Sequence, residues 1–189
     1  GKFFAYGYAG IGIGLWVSDN GYNWGKASYD GAESTVQIYN LKYDRGRYLA
    51  IGSDAVWSDD GLHWHDAVDN GLSSIYDMAA GPGYDYVAVG YRSGGFPISH
   101  SYNTKTWTPA TTSDAVPQDA NCVTYGYGLW VAGCDYQGAY WSSNGTEWHR
   151  GNGMPVGCYM SELLYDADKL IFIAGCYGFR GGVSKGLWW

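Results

Sequence analysis

A short sequence word recurs about every 40 residues along this chain, and that repeat constrains the fold more than any other feature. The word combines serine, aspartate or asparagine, glycine and tryptophan. It occurs as SDNGYNW from Ser18, SDDGLHW from Ser58, SYNTKTW from Ser101 and SSNGTEW from Ser142, with a shortened SKGLWW from Ser184. The serines are 40, 43, 41 and 42 residues apart. A period of this length is typical of proteins built from equivalent stacked units.

A second set of related segments precedes the word in each unit. These segments are FFAYG at 3–7, YLAIG at 48–52, YVAVG at 86–90, WVAGC at 130–134 and FIAGC at 172–176. The chain also contains 19 Tyr, 10 Trp and 30 Gly, a composition that favours short strands joined by tight turns. We therefore predict an all-β fold, a five-bladed β-propeller made of four-stranded repeats.

The predicted propeller is one domain, with approximate units at 1–29, 30–68, 69–112, 113–152 and 153–189. The first segment of unit 1 corresponds to the second strand of the other units, so the first inner strand is missing from the count. Either unit 1 lacks that strand or the strand precedes the first residue. A fragment of a larger propeller is the alternative interpretation.

The repeated word resembles the Asp-box (BNR) repeat of sialidases, several glycosidases and propeller lectins, whose usual pattern is Ser-x-Asp-x-Gly-x-Thr-Trp. Here the pattern is one residue tighter, and Thr104 replaces the expected glycine. In that family the box is structural, and these residue types suit such a role. The Asp or Asn can bond backbone N–H groups, the glycine allows positive φ, and the tryptophan packs between blades. The residues to which we assign this role are Ser18, Asn20, Trp24, Ser58, Asp60, Trp64, Ser101, Asn103, Trp107, Ser142, Asn144 and Trp148.

If the boxes occupy one face of the propeller, the loops after the second strands lie on the other face, here called the top face. Ligand sites are disproportionately found on such loops. The candidate ligand-binding residues there are Tyr8, Asp54, Tyr91, Arg92, Asp135, Tyr136, Tyr177 and Arg180. Aromatic rings stack on the C–H faces of sugars, and carboxylate and guanidinium groups form hydrogen bonds with sugar hydroxyls. This set of residues therefore suits a saccharide. The alternative is that the tyrosines cap blade edges and the charges are merely solvated.

The inner strands begin at the same face. A fixed count back from each second strand aligns Tyr39, Asp77, Asn121 and Ser161 in one column, and Asn40, Met78, Cys122 and Glu162 in the next. Asp77 and Glu162 are therefore the candidate catalytic carboxylates if the protein is an enzyme, because glycoside hydrolysis uses two such groups about 5–10 Å apart. Structural hydrogen bonding is the alternative role for both.

The four cysteines suit two disulfides at the top rim, Cys122–Cys134 and Cys158–Cys176, since each pair flanks a predicted hairpin. Four cysteines allow three connectivities, and four buried thiols are the alternative. Disulfides would indicate a secreted, extracellular protein. His63 and His65 share one strand face, but no third ligand is indicated, so we predict neither a metal nor another cofactor.

The net charge and the hydropathy of the chain limit the classes of partner that it could bind. The formal net charge of −7 disfavours nucleic acid, and no apolar run is long enough for membrane insertion. The favoured function is a secreted, lectin-like module that binds an oligosaccharide or polysaccharide. Because the top loops differ between units, a glycoside hydrolase or lyase with one asymmetric central site is the first alternative. A protein-interaction scaffold is the second.

Overall fold

A computed structural model describes residues 1–7, 12–31, 35–68, 71–83, 85–152 and 157–178. Every regular element in these ranges is a β-strand, so the predicted all-β class is confirmed. Among the described residues, no helix is long and apolar enough to cross a membrane. The strands form successive sheets along the chain.

The first sheet has the order β1-β3-β4, and a separate pair joins β2 to β6 in parallel. The strands up to the second unit are β1 (Phe3–Tyr6), β2 (Gly12–Ile13), β3 (Leu15–Ser18), β4 (Gly25–Lys26), β5 (Ser28–Tyr29) and β6 (Thr35–Val36). Blade one thus begins with a strand equivalent to the second strand of the other blades, as the sequence predicts.

Blades two, three and four each contain four antiparallel strands in chain order. Blade two comprises β7 (Ile38–Asp44), β8 (Arg47–Gly52), β9 (Ala55–Ser58) and β10 (His63–Asp66). Blade three comprises β11 (Ser74–Ala80), β12 (Tyr86–Tyr91), β13 (Ile98–Ser101) and β14 (Thr108–Pro109). After β15 (Thr111–Thr112), blade four comprises β16 (Ala120–Gly126), β17 (Leu129–Cys134), β18 (Gly138–Ser142) and β19 (Glu147–Arg150).

Blade five is described by β20 (Cys158–Asp166) and β21 (Ile171–Gly178), which form an antiparallel pair. The fifth box, from Ser184, lies outside the described residues, so the count of five complete blades stays a prediction. Adjacent blades are linked at their outer edges, because the segment after a box pairs in parallel with the last strand of the next blade. This occurs for β5 with β10, for Val68 with Thr106 and for β15 with β19.

The four described boxes form the same turn. In each, the serine Oγ accepts backbone N–H bonds from the second and third residues that follow, and the Asp or Asn Oδ1 accepts two more. The tryptophan indole N–H donates to the carbonyl of the residue after the Asp or Asn, at 3.0–3.1 Å. That residue has positive φ even where it is Thr104, at 63°. The polar side chains of each box therefore form hydrogen bonds within their own turn and hold it in shape.

Three of the four box tryptophans fill the space between blades. Trp64 packs with Leu15 and Val17 of blade one, Trp107 with Leu49 of blade two, and Trp148 with residues of blade three. Their exposed fractions are 0%, 2% and 0%. Trp24 differs from the prediction, since 44% of it is exposed. The other three each pack against the preceding blade, and the described residues contain no blade on that side of blade one.

The inner strands share an irregularity that the sequence analysis misses. In β7, β11, β16 and β20 the register with the second strand shifts at the same place, leaving one residue bulged. The bulged residues are Tyr39, Tyr76, Asn121 and Ser161, and the residues that follow them are Asn40, Asp77, Cys122 and Glu162. The predicted alignment of the inner strands is therefore wrong by one residue in blade three, where Tyr76 and Asp77 take the positions predicted for Asp77 and Met78. A fixed count fails because the hairpin after β11 is longer than those after β7 and β16.

The predicted Cys158–Cys176 disulfide is confirmed, with 6.1 Å between the Cα atoms. The predicted Cys122–Cys134 disulfide is wrong, because both are buried free cysteines. The bulge at Asn121 places Cys122 opposite Gly133, and the Cys122 thiol donates to the Met160 carbonyl at 3.9 Å. Cys122 packs between blades four and five, whereas Cys134 belongs to the core between blades three and four.

Thiol counting should reproduce this arrangement. We expect the denatured protein to take up two alkyl groups without reductant and four after reduction, because one disulfide accompanies two free thiols. The native protein should react slowly, since burial raises the pKa of Cys122 to about 12 and that of Cys134 well above its usual range. Mass spectrometry after alkylation measures both quantities. Uptake of no alkyl group by the unreduced, denatured protein would show that Cys122 and Cys134 are bonded.

Candidate functional site

A cavity of about 410 Å³ opens on the top face between blades three and four. Its walls come from the loop between β12 and β13 and from the segment that leads into β16. The lining residues are Tyr91, Arg92, Gly94, Gly95, Val116, Pro117 and Gln118. A backbone bridge between Tyr91 and Asp119 joins the two walls. The volume lies within the range of small-molecule sites.

A pair of carboxyl groups adjoins this cavity. Asp119 follows the lining residue Gln118, and Asp135, which is 9% exposed, follows β17. Burial raises the pKa of Asp119, and the Asp135 charge and a hydrogen bond between the two side chains raise it further. The Asn121 amide donates to Asp135 at 2.6 Å. The neighbouring Asp135 therefore favours the protonated form of Asp119.

Two acceptor atoms beside this pair have no hydrogen-bond partner among the described residues. They are Oδ1 of Asp119 and Oδ1 of Asn121, and both atoms are buried. Buried acceptors are satisfied in most proteins, so an unsatisfied pair in one place marks a polar region that is not optimised for stability alone.

One tyrosine, Tyr76, lies close to the acidic pair, and Tyr39 and Tyr91 lie close to Tyr76. Tyr76, the bulged residue of β11, is 37% exposed, and the bulged Tyr39 of β7 is 46% exposed. Burial raises the pKa of the Tyr76 hydroxyl, and the nearby Asp119 charge raises it further. With Tyr91 in the cavity wall, these rings give the top face flat apolar surfaces next to carboxyl groups. A sugar ring requires that combination.

The structure brings together several of the predicted ligand-binding residues. Tyr91 and Arg92 line the cavity, and Asp135 belongs to the acidic pair beside it. Tyr136 follows Asp135 and is 51% exposed, with positive φ. Asp54 is not among the lining residues and instead accepts the Ala55 N–H at 2.7 Å.

Other predicted positions cannot be assigned to the cavity. Tyr8 and Arg180 lie outside the described residues, and Tyr177 is described only as part of β21. Within the described ranges, no group of three or more His, Cys, Asp or Glu side chains could hold a metal ion. His63 contacts Asp60, and His65 contacts Asp30.

Asp77 and Glu162 occupy equivalent positions on inner strands two blades apart, on either side of Cys122. Asp77 is already bonded: its Oδ1 accepts from the Lys42 ammonium of blade two at 2.8 Å, and its Oδ2 accepts from the Val123 N–H of blade four at 3.0 Å. Glu162 is exposed and makes no hydrogen bond or ion pair with the described residues. Asp77 thus ties three blades together.

Sequence reasoning does not identify Asp119, Asn121 or Tyr76 as site residues. The bulge moves Tyr76 and Asn121 to the strand ends, and Asp119 enters through its backbone bridge to Tyr91. The presence of a polar residue shortly before the inner strand of blade four is the one sequence signal that points to Asp119.

The raised pKa of Asp119 predicts a pH-dependent stability. An acid with a higher pKa in the folded state than in the unfolded state loses stability as the pH rises through that interval. We expect the contribution of Asp119 to the free energy of unfolding to fall as the pH rises above about 4, and Asp119→Asn to remove that contribution. Urea unfolding at several pH values measures the difference between wild type and variant. The exposed Asp168→Asn is the matched control, and an equal effect of both variants would contradict the account.

Comparison with known proteins supports the fold assignment. No protein-family model matches the sequence, and a comparison with curated proteins finds no match either. Among solved structures, the chain is similar to an ancestral GH74 enzyme, with 16% identity over 88% of this chain and 25% of that one, at a TM-score of 0.66. It is also similar to YCF48 bound to a D1 peptide, with 16% identity over 85% of this chain and 54% of that one, at a TM-score of 0.55.

The computationally designed Ika8 protein shares the fold as well, with 10% identity over 72% of this chain and 42% of that one, at a TM-score of 0.51. These likenesses are to β-propeller proteins, so the chain has an all-β propeller fold. The chain spans about a quarter of the GH74 enzyme and about half of YCF48.

Proposed function

We propose that this protein is a secreted, carbohydrate-binding β-propeller with one asymmetric saccharide site on its top face, between blades three and four. The observation that carries this proposal is the cavity of about 410 Å³ lined by Tyr91 and Arg92, next to the Asp119–Asp135 pair. The Cys158–Cys176 disulfide supports secretion, because such bonds persist in oxidising compartments. The fold likeness to a GH74 enzyme gives further support for a link to carbohydrate.

Binding without turnover agrees best with the contacts of the acids. Asp119 and Asp135 interact with each other, and the Asn121 amide also donates to Asp135 at 2.6 Å. Asp77 is engaged by Lys42 and Val123. Three of the four candidate acids, Asp119, Asp135 and Asp77, are therefore engaged by neighbouring groups, which favours binding over turnover.

One observation favours a second candidate, a glycoside hydrolase. Asp119 retains its proton above the ordinary pKa of aspartic acid, which is the state that a general acid requires. In that case Asp119 would protonate the leaving oxygen as the glycosidic C–O bond breaks, and a second carboxylate would accept a proton from the water molecule that attacks the sugar carbon. Released reducing ends would identify this function.

The test is a glycan array and a reducing-end assay on the same protein sample. We expect array binding without release of sugar, and Tyr91→Ala should weaken binding about tenfold through loss of ring stacking. Tyr22→Ala is the matched control, since Tyr22 is 89% exposed on a box turn. Sugar release that depends on Asp119 would support the hydrolase instead. The absence of both array binding and sugar release would overturn the proposal and favour a protein-interaction scaffold.

A further inference from the structure

Arg92 differs from the other described arginines because its guanidinium has no partner among the described residues. Arg45 bonds the Gly81 carbonyl and pairs with Asp44, Arg47 bonds Asp59 at 2.7 Å, and Arg150 bonds the Gln137 carbonyl at 2.9 Å. Within the described part of the chain, Arg92 makes neither a hydrogen bond nor an ion pair, although it lines the cavity. Its charge is thus held at the site without a counter-ion.

Of the two glycines beside Arg92, Gly95 leaves the space that the Arg92 side chain occupies. A Cβ atom at Gly95 would lie 2.6 Å from the Arg92 Nε, too close for the side chain to stay in place. A Cβ at Gly71 would lie 3.6 Å from the Arg92 Cζ, in ordinary contact. Arg92 is itself half-buried. The guanidinium is therefore positioned at the cavity wall before any ligand arrives.

A half-buried cation without a partner opposes folding, because it loses solvation and gains no ion pair. Among the described residues, Asp119 and Asp135 form no ion pair with it, and Asp135 accepts instead from the Asn121 amide. An anion that enters the cavity would supply the partner that these residues do not. A guanidinium presents a planar fork of N–H donors, which matches the two oxygens of a carboxylate in bidentate geometry.

We propose that the saccharide bound in this cavity is acidic and that the carboxylate of a uronate unit seats on Arg92. The inference rests on the proposed carbohydrate-binding function and adds the chemical class of the sugar. Tyr91 and Tyr76 would stack on the sugar ring while Arg92 selects the acid. No covalent step is involved.

The test compares an oligogalacturonate with its fully methyl-esterified form, which has the same backbone without the charge. We expect calorimetry to show that the wild type binds the acid form on the order of tenfold to hundredfold more tightly. Arg92→Gln should abolish that preference, so that the acid and the ester bind with equal affinity. Gly95→Ala should reduce the preference without removing any charge, because it displaces the arginine. Lys169→Gln, on an exposed turn, removes the same charge and should have no effect.

The outcomes separate the two proposals. Equal binding of acid and ester by the wild type would overturn the uronate inference and leave carbohydrate binding intact. No binding of either oligomer, with no binding on the glycan array, would overturn the proposed function itself. A further control is an oligoglutamate peptide of matched charge. If it binds as tightly as the oligogalacturonate, the inference is overturned, because Arg92 would then bind an acidic peptide equally well.

Discussion

Replacement of Trp148 by alanine is expected to lower the free energy of unfolding by about 3–5 kcal/mol, the largest effect of any single substitution considered for this protein. Trp148 is fully buried, and it packs in one cluster with Val87, Phe96 and Tyr140. Its indole N–H donates to the Gly145 carbonyl at 3.0 Å, so the ring is held at the box turn as well as between the blades. Alanine would leave a cavity between blades three and four.

The matched control is Trp24→Ala. Trp24 makes the same indole bond to its own box turn, to the Gly21 carbonyl at 3.1 Å, but 44% of it is exposed. We expect its loss to cost about 1 kcal/mol, because the hydrogen bond is lost without a buried cavity. Urea unfolding followed by tryptophan fluorescence or circular dichroism measures both variants. Equal effects of the two substitutions would contradict the claim that burial between blades, and not the box turn, gives the tryptophan its stabilising role.

Replacement of Asp77 by alanine is expected to lower the free energy of unfolding by about 1.5–3 kcal/mol. The carboxylate joins the Lys42 ammonium of blade two to the Val123 N–H of blade four. The Lys42 side chain is 36% exposed and that of Asp77 is 23% exposed, so the ion pair is partly screened. Most of the loss therefore comes from the Val123 N–H, whose residue is buried and would lose its acceptor.

Glu162→Ala is the control for Asp77, because Glu162 occupies the equivalent position in blade five but is exposed. Its effect should stay within about 0.5 kcal/mol. The same two variants examine the catalytic role that the sequence suggests for this pair. Stability that is unchanged in Asp77→Ala, together with lost sugar release, would show that Asp77 acts in chemistry and not as a tie between blades.

The repeat makes the architecture predictable from sequence. A box turn is a local structure, fixed by a serine, an Asp or Asn and a residue with positive φ, so its pattern can be read directly from neighbours such as Ser58, Asp60 and Gly61. The inner-strand bulge is not local in this sense. It depends on pairing with the next strand and on hairpin length, and this is why the predicted Cys122–Cys134 bond and the blade-three column are wrong.

The site is only partly predictable for a related reason. Tyr91 and Arg92 stand out in sequence because they follow a recognisable second strand, and the structure places both in the cavity wall. Asp119 is one acid among many in an acidic chain. Its importance arises from burial beside Asp135, which lies 16 positions further along the chain and reaches it only after two strands have folded. No short motif records such a pairing.

The central claim is that the top-face cavity is the saccharide site and the boxes are structural. Amide NMR spectra of the labelled protein, titrated with oligogalacturonate, test this claim directly. We predict that the largest shifts occur at Tyr91, Arg92 and Gln118, whereas the box glycines Gly61 and Gly145 do not move. Binding that shifts the box turns and leaves Tyr91 and Arg92 unchanged would contradict it.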